Sequence, residues 1–353
     1  METGTENKPV VKVKGKEIAQ IGFVVHDAAK TAKRYSEIFG IGPWLFFDAA
    51  PTNMVLHGRR LRDGDSCSRI ALTNLGKMQI ELIQPMYGES TYMEFLRDRG
   101  EGIHHVSFGI VDDHDQVVSA LVENGMEIEM QGLLGGAYTF TYMATQNELG
   151  TIFEVVKDAP SGVKSTFKPW GTYDLQGSGL VNMKGKEIVQ IGIVVEDAEK
   201  TAKRYWEIFG IGPWLLIDFK PPHVTDGVFH GITMRQVDFH VRGAIADYGN
   251  IQFELLEPVW GPSTHMEFLK MNGEGVHHIS FGEVDDHDEV VSALKNNSVD
   301  VEMTGLLGGA TTFTYMATQR DLGTIMELVK VRQGVENSLV PYGTYPPAPS
   351  LSP

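Results

Sequence analysis

The chain of 353 residues is long enough for two or three domains with sizeable cores, and 42% hydrophobic with 22% charged residues is the composition of a soluble globular protein. A net charge of −16 argues against nucleic acid or an anionic membrane as the main partner, since both reward Lys and Arg, but leaves room for a small anionic substrate. The single cysteine, Cys67, excludes an intramolecular disulfide and a thiolate metal cage. No basic-then-apolar leader and no apolar run of about 18 residues is present, so a cytoplasmic protein without a membrane partner is expected.

Taken in order, residues 17–25 predict a strand, and residues 27–39 a helix capped by Asp27 and ended by Gly40. Strands are predicted near 44–48, 54–62, 67–74 and 77–84, the last stopping at Pro85, and a short helix over 90–99. The pattern then restarts with strand 103–110, helix 113–124 with Gly125 just past its end, and strands near 127–130, 138–144 and 151–157. This is βαβββ twice. The whole order then returns, because Gly15-Lys-Glu-Ile-Ala-Gln-Ile-Gly reappears as Gly185-Lys-Glu-Ile-Val-Gln-Ile-Gly, and the two copies run on to Trp44 and Trp214. The offset of 170 residues becomes 173 after an insertion near Pro221-Pro222-His223, and Trp170-Gly-Thr-Tyr173 is echoed by Tyr342-Gly-Thr-Tyr345. The expected organisation is a first domain over 1–160, a linker over 161–184 rich in Gly, Ser, Pro and Lys, a second domain over 185–335 and a tail over 336–353. Four βαβββ modules give an α+β fold of curved mixed sheets, in which one helix covers one sheet face and the other face is free to curve around a ligand.

Four positions put a lone polar side chain inside an apolar strand: Gln20, Glu81, His105 and Glu154, matched in the second repeat by Gln190, Glu254, His278 and Glu327. His105 sits in Gly102-Ile-His-His-Val-Ser-Phe-Gly109, where alternation puts His105, Ser107 and Gly109 on one face and His104, Val106 and Phe108 on the core face. A carboxylate buried in a strand is costly unless it is paired or ligates a metal, and Glu81 and Glu154 have no cationic neighbour on their own strand face. Between the repeats the stretch from Asp48 to Ile70 diverges strongly while the quartet does not. The quartet therefore reads as a ligand set for a metal ion.

These features resemble the vicinal oxygen chelate superfamily, which includes glyoxalase I, methylmalonyl-CoA epimerase, extradiol dioxygenases and bleomycin-resistance proteins. The resemblance covers both repeats, and Phe39-Gly-Ile-Gly-Pro-Trp44 and Gly102-Ile-His-His-Val-Ser-Phe108 are most similar to the epimerase-related branch. It implies paired βαβββ modules around metal sites, and leaves open whether each site is built within one repeat or across the two. The set Gln20, Glu81, His105, Glu154 is similar in type and place to the ligands of animal glyoxalase I, whereas epimerases usually carry His where Gln20 stands. Glutathione-binding residues of glyoxalase I are not recognisable. Extradiol dioxygenases hold Fe(II) with two His and one carboxylate, which a quartet with one His does not match.

Two carboxylates, an amide oxygen and an imidazole suit a divalent Zn, Co, Ni, Mn or Mg ion, with up to two positions left for substrate oxygens. The expected function is a divalent-metal-dependent isomerase, epimerase or lyase that abstracts a proton α to a carbonyl of a small organic substrate through a metal-stabilised enolate. Glu154 or Glu81 is eligible as the base, and the resemblance implies Glu154, hence Glu327 in the second repeat. The rival from another class is a metal-free binding or resistance protein; a ring-cleaving dioxygenase ranks below it. His57 with His230, Arg69 with Arg242, and Arg62 with Arg235 match across the repeats as candidate pocket groups or as an exposed polar face. Trp44 and Trp214 are expected in the core, and Leu133-Leu-Gly-Gly136 as a turn rather than a lid. A pseudo-dimeric monomer and a homo-oligomer both fit.

Overall fold

The protein is described by a computed structural model covering residues 10–11, 13, 17–175, 179–181, 183, 186–234 and 238–347. Gly15, Gly185 and Arg235 lie outside the described residues.

In the first repeat β1 (Gln20–Val24) leads into α1 (Ala28–Phe39), then β2 (Trp44–Ala49), β3 (Thr52–Leu56), β4 (Arg59–Arg60), β5 (Cys67–Leu75) and β6 (Met78–Tyr87). After α2 (Thr91–Arg99) come β7 (Gly102–Ile110), α3 (His114–Glu123), β8 (Ile128–Leu134), β9 (Tyr138–Met143), the one-turn α4 (Gln146–Leu149) and β10 (Ile152–Lys157). A short β11 (Gly171–Tyr173) follows. The second repeat runs β12 (Gln190–Val194), α5 (Ala198–Phe209), β13 (Trp214–Phe219), β14 (Val224–Phe229), β15 (Ile232–Thr233), β16 (His240–Tyr248) and β17 (Ile251–Trp260). It continues with α6 (Thr264–Asn272), β18 (Gly275–Glu283), α7 (His287–Asn296), β19 (Val301–Leu307) and β20 (Thr311–Met316). The one-turn α8 (Gln319–Leu322), β21 (Ile325–Val331) and β22 (Gly343–Tyr345) complete it.

Each repeat forms its own 11-stranded mixed sheet, ordered β11-β2-β5-β6-β1-β7-β10-β9-β8-β3-β4 in the first and with the same neighbours in the second. Two βαβββ modules meet at the antiparallel pair β1–β7, so each candidate site is built within one repeat. The stretch predicted as one strand over 54–62 is instead a hairpin. His57 and Gly58 adopt positive φ at its turn, and β3 leaves its own module to pair with β8 at the far edge. Tyr173 of the expected linker and Tyr345 of the expected tail extend the sheets as β11 against β2 and β22 against β13.

Helix α1 forms where predicted. The Asp27 carboxylate accepts the Lys30 amide at 3.0 Å, and Gly40 ends the helix at φ 68°. Its inward face, Ala28, Thr31, Ala32, Tyr35, Ile38 and Phe39, follows helical spacing. One core cluster joins the repeats: Phe39 of α1 packs on Phe281 of the second sheet, and Phe209 of α5 packs on Phe108 and Phe153 of the first. Reciprocal hydrogen bonds lock the halves, from Tyr35 to the Leu322 carbonyl at 3.0 Å and from Tyr205 to the Leu149 carbonyl at 2.8 Å. Trp44 and Trp214 are fully buried in this core, as expected from their Gly-Pro-Trp settings. Helices α1, α3, α5 and α7 and this joint core thus occupy one face of each sheet, while α2 and α6 pack with smaller apolar clusters against the opposite face. The latter face carries the polar quartet.

Candidate metal centre

Register places the quartet. Gly22 of β1 lies between Glu81 of β6 and His105 of β7, while Gln20 lies between Gln79 and Ser107, and Ser107 is in turn opposite Glu154 of β10. The four polar residues therefore occupy two adjacent rows on one face of four neighbouring strands. Gly22 is what lets them meet. A Cβ built on it would stand 2.0 Å from His105 Cε1, so the imidazole lies across the bare backbone of β1 toward Glu81. Gly192 does the same for His278, again at 2.0 Å.

His105 Nε2 is 3.5 Å from Glu81 Oε2 and 3.8 Å from Glu154 Oε2; in the second repeat His278 Nε2 is 3.6 Å from Glu254 Oε2 and 3.9 Å from Glu327 Oε2. These separations are too long for hydrogen bonds, and His105 Nε2, Glu154 Oε2 and His278 Nε2 are buried with no partner. Gln20 opens on the same cavity but is turned partly aside: its Nε2 donates to Gln79 Oε1 at 2.8 Å, leaving the amide oxygen as the end that this bond does not use. Gln190 repeats this with Gln252 at 2.9 Å.

Burial, reinforced by the charge on Glu154, pushes Glu81 up to about 8. Burial raises Glu154 to about 7, against interactions with Ser107 and Tyr142 that lower it. Glu254 and Glu327 are pushed to about 8 and about 7 by the same causes, burial first. His105 is driven down to about 3 by burial, so its contacts with the two glutamates are not salt bridges. Each site thus gathers two carboxylates and a neutral imidazole with no protein cation among them. A divalent cation fits this donor set, since it would neutralise both carboxylates and occupy the unpartnered nitrogen.

The shifts have a consequence for the metal-free protein. Unfolded glutamate releases its proton near pH 4.3, whereas folded Glu81 and Glu154 hold theirs to about 8 and about 7. The folded state then binds more protons than the unfolded, so stability falls as pH rises. Unfolded histidine is still half protonated near pH 6.5, so the buried neutral histidines add a smaller slope of opposite sign that fades by about pH 7.5. Chelator-treated protein should therefore melt lower at pH 8 than at pH 6.5, and added Zn²⁺ should remove the difference. A melting temperature that climbs over that interval without metal would contradict this assignment.

A cavity of about 540 Å³ opens on Gln20, Glu81 and Glu154 in the first repeat, walled largely by apolar groups such as Ile70, Met130, Phe140 and Phe167. The matched basic residues stand elsewhere. Arg69 pairs with Asp48 at 2.9 Å over the Trp170 ring, and Arg242 pairs with Glu257 at 2.8 Å. His57 and His230 bond Glu94 and Glu267 at 2.8 and 2.9 Å on exposed turns, and Arg62 is exposed.

One face assignment needs correction. A bulge opposite Gly22 and Phe23 puts His104 and His105 together, so Ile103 joins Val106 and Phe108 in the core while both imidazoles pack on Tyr142. Gly22 and Tyr142 are the site residues that sequence reasoning missed. The signal for the first was a glycine inside a strand in both Gln-Ile-Gly runs, which marks a close approach. The site walls also differ between repeats: Tyr92, bonded to Tyr142 at 2.6 Å, is His265 in the second, bonded to Tyr315 at 3.3 Å.

No helix among the described residues is long and apolar enough to cross a membrane. A search among curated proteins finds no significant match. Among solved structures, a variant of 4-hydroxymandelate synthase from Streptomyces coelicolor is similar with a TM-score of 0.59 at 14% identity, over 92% of this chain and 95% of that one. A xylose isomerase-like TIM barrel/4-hydroxyphenylpyruvate dioxygenase fusion protein gives 0.49 at 14% identity, over 95% of this chain and 52% of the other. At this identity the likeness is one of fold alone. The family model described as Glyoxalase/Bleomycin resistance protein/Dioxygenase superfamily matches residues 19–142 and again 189–315. Matched over both repeats and sharing the two-domain fold, the chain belongs to the glyoxalase/bleomycin resistance protein/dioxygenase superfamily, also called the vicinal oxygen chelate superfamily.

Proposed function

We propose that the protein is an isomerase, epimerase or lyase that moves a proton α to a carbonyl in a small organic substrate, with one divalent-metal site in each repeat. The observation that carries this reading is the convergence of Glu81, His105 and Glu154 in a buried, cation-free cluster, repeated by Glu254, His278 and Glu327. Glu81, His105 and Glu154, with the amide oxygen of Gln20, would hold the ion; Gln190, Glu254, His278 and Glu327 would hold the second. When bound, the ion supplies a Lewis acid that polarises the substrate carbonyl oxygen.

The protein's own groups do the rest. Glu154 takes the role of the base, because its carboxylate lies beside the imidazole and opens on the cavity where the substrate carbon would sit. Removing the α-proton leaves an electron pair that delocalises onto the substrate carbonyl oxygen, and Glu154 then returns the proton to the same or a neighbouring carbon. The apolar walls around Ile70, Met130 and Phe140 exclude water from the reacting centre and favour a substrate with an apolar body. Glu327 takes the same role in the second site. The different walls, Tyr92 against His265, favour different substrates at the two sites.

A metal-free binder has no use for two buried carboxylates at each site, and in the first repeat the single imidazole between them departs from the two-His, one-carboxylate set of non-haem Fe(II) oxygenases, whereas the second repeat also brings His265 and His277 close to His278. Turnover of candidate 2-substituted carbonyl compounds in deuterated water tests the reading. Deuterium α to the carbonyl is the expected result, while oxygen consumption would replace it with ring or side-chain oxidation.

A further inference from the structure

On the side of His105 away from the two glutamates, a second chain of polar groups begins. His105 Nδ1 is 3.1 Å from His104 Nδ1, and His104 Nε2 is 3.2 Å from Thr91 Oγ1. Thr91 Oγ1 donates to Glu129 Oε1 at 3.0 Å, and Gln146 Nε2 also donates there at 3.4 Å. His104, Thr91 and Glu129 are 2%, 3% and 8% exposed, so water does not compete for these bonds. The second repeat holds the same chain, with 3.0 Å between His278 and His277, 3.1 Å between His277 and Thr264, and 3.0 Å between Thr264 and Glu302.

Counting protons gives the chain one direction. An ionised carboxylate only accepts, so with Glu129 ionised the single hydroxyl proton of Thr91 goes to it, and the hydroxyl oxygen accepts from His104. His104 then carries its proton on Nε2. Two Nδ1 atoms 3.1 Å apart have room for one proton between them, so a neutral His104 accepts at Nδ1 and His105 donates from its own. The lone pair of His105 is left on Nε2.

We propose that Glu129, Thr91 and His104 form a relay that sets the tautomer of His105, holding its Nε2 bare toward Glu81 and Glu154, and that Glu302, Thr264 and His277 do the same for His278. These are positioning residues: they touch neither substrate nor the ligand cluster except through His105. The purpose of the relay rests on His105 being a metal ligand, but its existence does not. Two intervening side chains, a hydroxyl and an imidazole, carry the orientation from a carboxylate to the ligand, where a single acceptor usually serves. The bulge that brings His104 beside His105 is what the relay requires of the backbone.

Ring ¹⁵N–¹H correlation spectra of the metal-free full-length protein test this. Wild type should show His105 as the Nδ1–H tautomer. Thr91→Val keeps the shape but removes the acceptor, so His105 should shift toward the Nε2–H form, and Thr91→Ser should restore the wild-type pattern. Glu129→Gln adds a donor at the far end and should also disturb the tautomer, which keeps the test open if Thr91→Val folds poorly. Zn²⁺ affinity at the first site should fall about 10–100-fold in Thr91→Val and recover in Thr91→Ser. An Nε2–H tautomer in wild type, or one unchanged by both Thr91→Val and Glu129→Gln, would overturn the relay. Should the tautomers follow this pattern while wild type fails to bind Zn²⁺, the relay stands and the metal reading falls.

Discussion

Turnover should fall by about 10²–10⁴-fold when Glu154 and Glu327 are both replaced by Gln, the range typical of a lost general base. The change is nearly isosteric and keeps an oxygen that can ligate, so metal content should largely persist. Folding should persist too. Each glutamate is nearly fully buried with its proton affinity raised by desolvation, and a neutral amide relieves the metal-free protein of that penalty. Glu154→Gln alone should remove only the activity of the first site and Glu327→Gln only that of the second, because each cluster is complete within its own sheet. Deuterium uptake α to the carbonyl should vanish with turnover in the double variant. Full activity there would remove these residues as the base and point to Glu81 and Glu254, the other carboxylates beside the imidazoles.

Gly22→Ala should cost the first site its metal while the second keeps its own. The added methyl would stand 2.0 Å from His105 Cε1 and 2.4 Å from Nε2, distances no side chain tolerates. The imidazole must move, and because it is fully buried against His104 and Tyr142 it must leave the position from which it reaches both glutamates. Overpacking of this kind costs about 1–3 kcal/mol, so the melting temperature should drop as well. The double variant Gly22→Ala, His105→Ala separates the two effects. Removing the ring clears space for the methyl, so stability should largely return while metal binding does not, a coupling between neighbours that single changes cannot show. A Gly22→Ala protein with full metal content and unchanged melting would mean the imidazole does not cross β1 as described.

Much of this site was legible in the sequence because it rests on local patterns repeated twice. Lone polar residues in apolar strands marked Glu81, His105 and Glu154, and the structure brings all three together. Gln20 shows the limit of that reasoning: it reaches the same cavity, but its amide also answers to Gln79 on the neighbouring strand, a partner set by register rather than by its own sequence context. The bulge at His104 was hidden for the same reason, since strict alternation assumes an unbroken ladder. The apolar run Met54-Val55-Leu56 is interrupted by His57-Gly58, the turn of the β3–β4 hairpin, and the departure of β3 to pair with β8 depends on contacts between modules that no local pattern carries. The short strands at Gly171–Tyr173 and Gly343–Tyr345 carry too few residues to declare themselves before the sheet edge is there to receive them.

The central claim is that each repeat holds one divalent cation through its own histidine. Elemental analysis after equilibration with Mn²⁺ or Zn²⁺ and desalting measures it directly, on wild type, His105→Ala, His278→Ala and the double variant. Losing one neutral ligand weakens a metal site far more than it disturbs sheets held by a core that spans both repeats. The expected contents are two ions per chain, one, one and none, with all four proteins folded. Wild type that takes up no ion, or histidine variants that keep the wild-type content, would contradict the assignment.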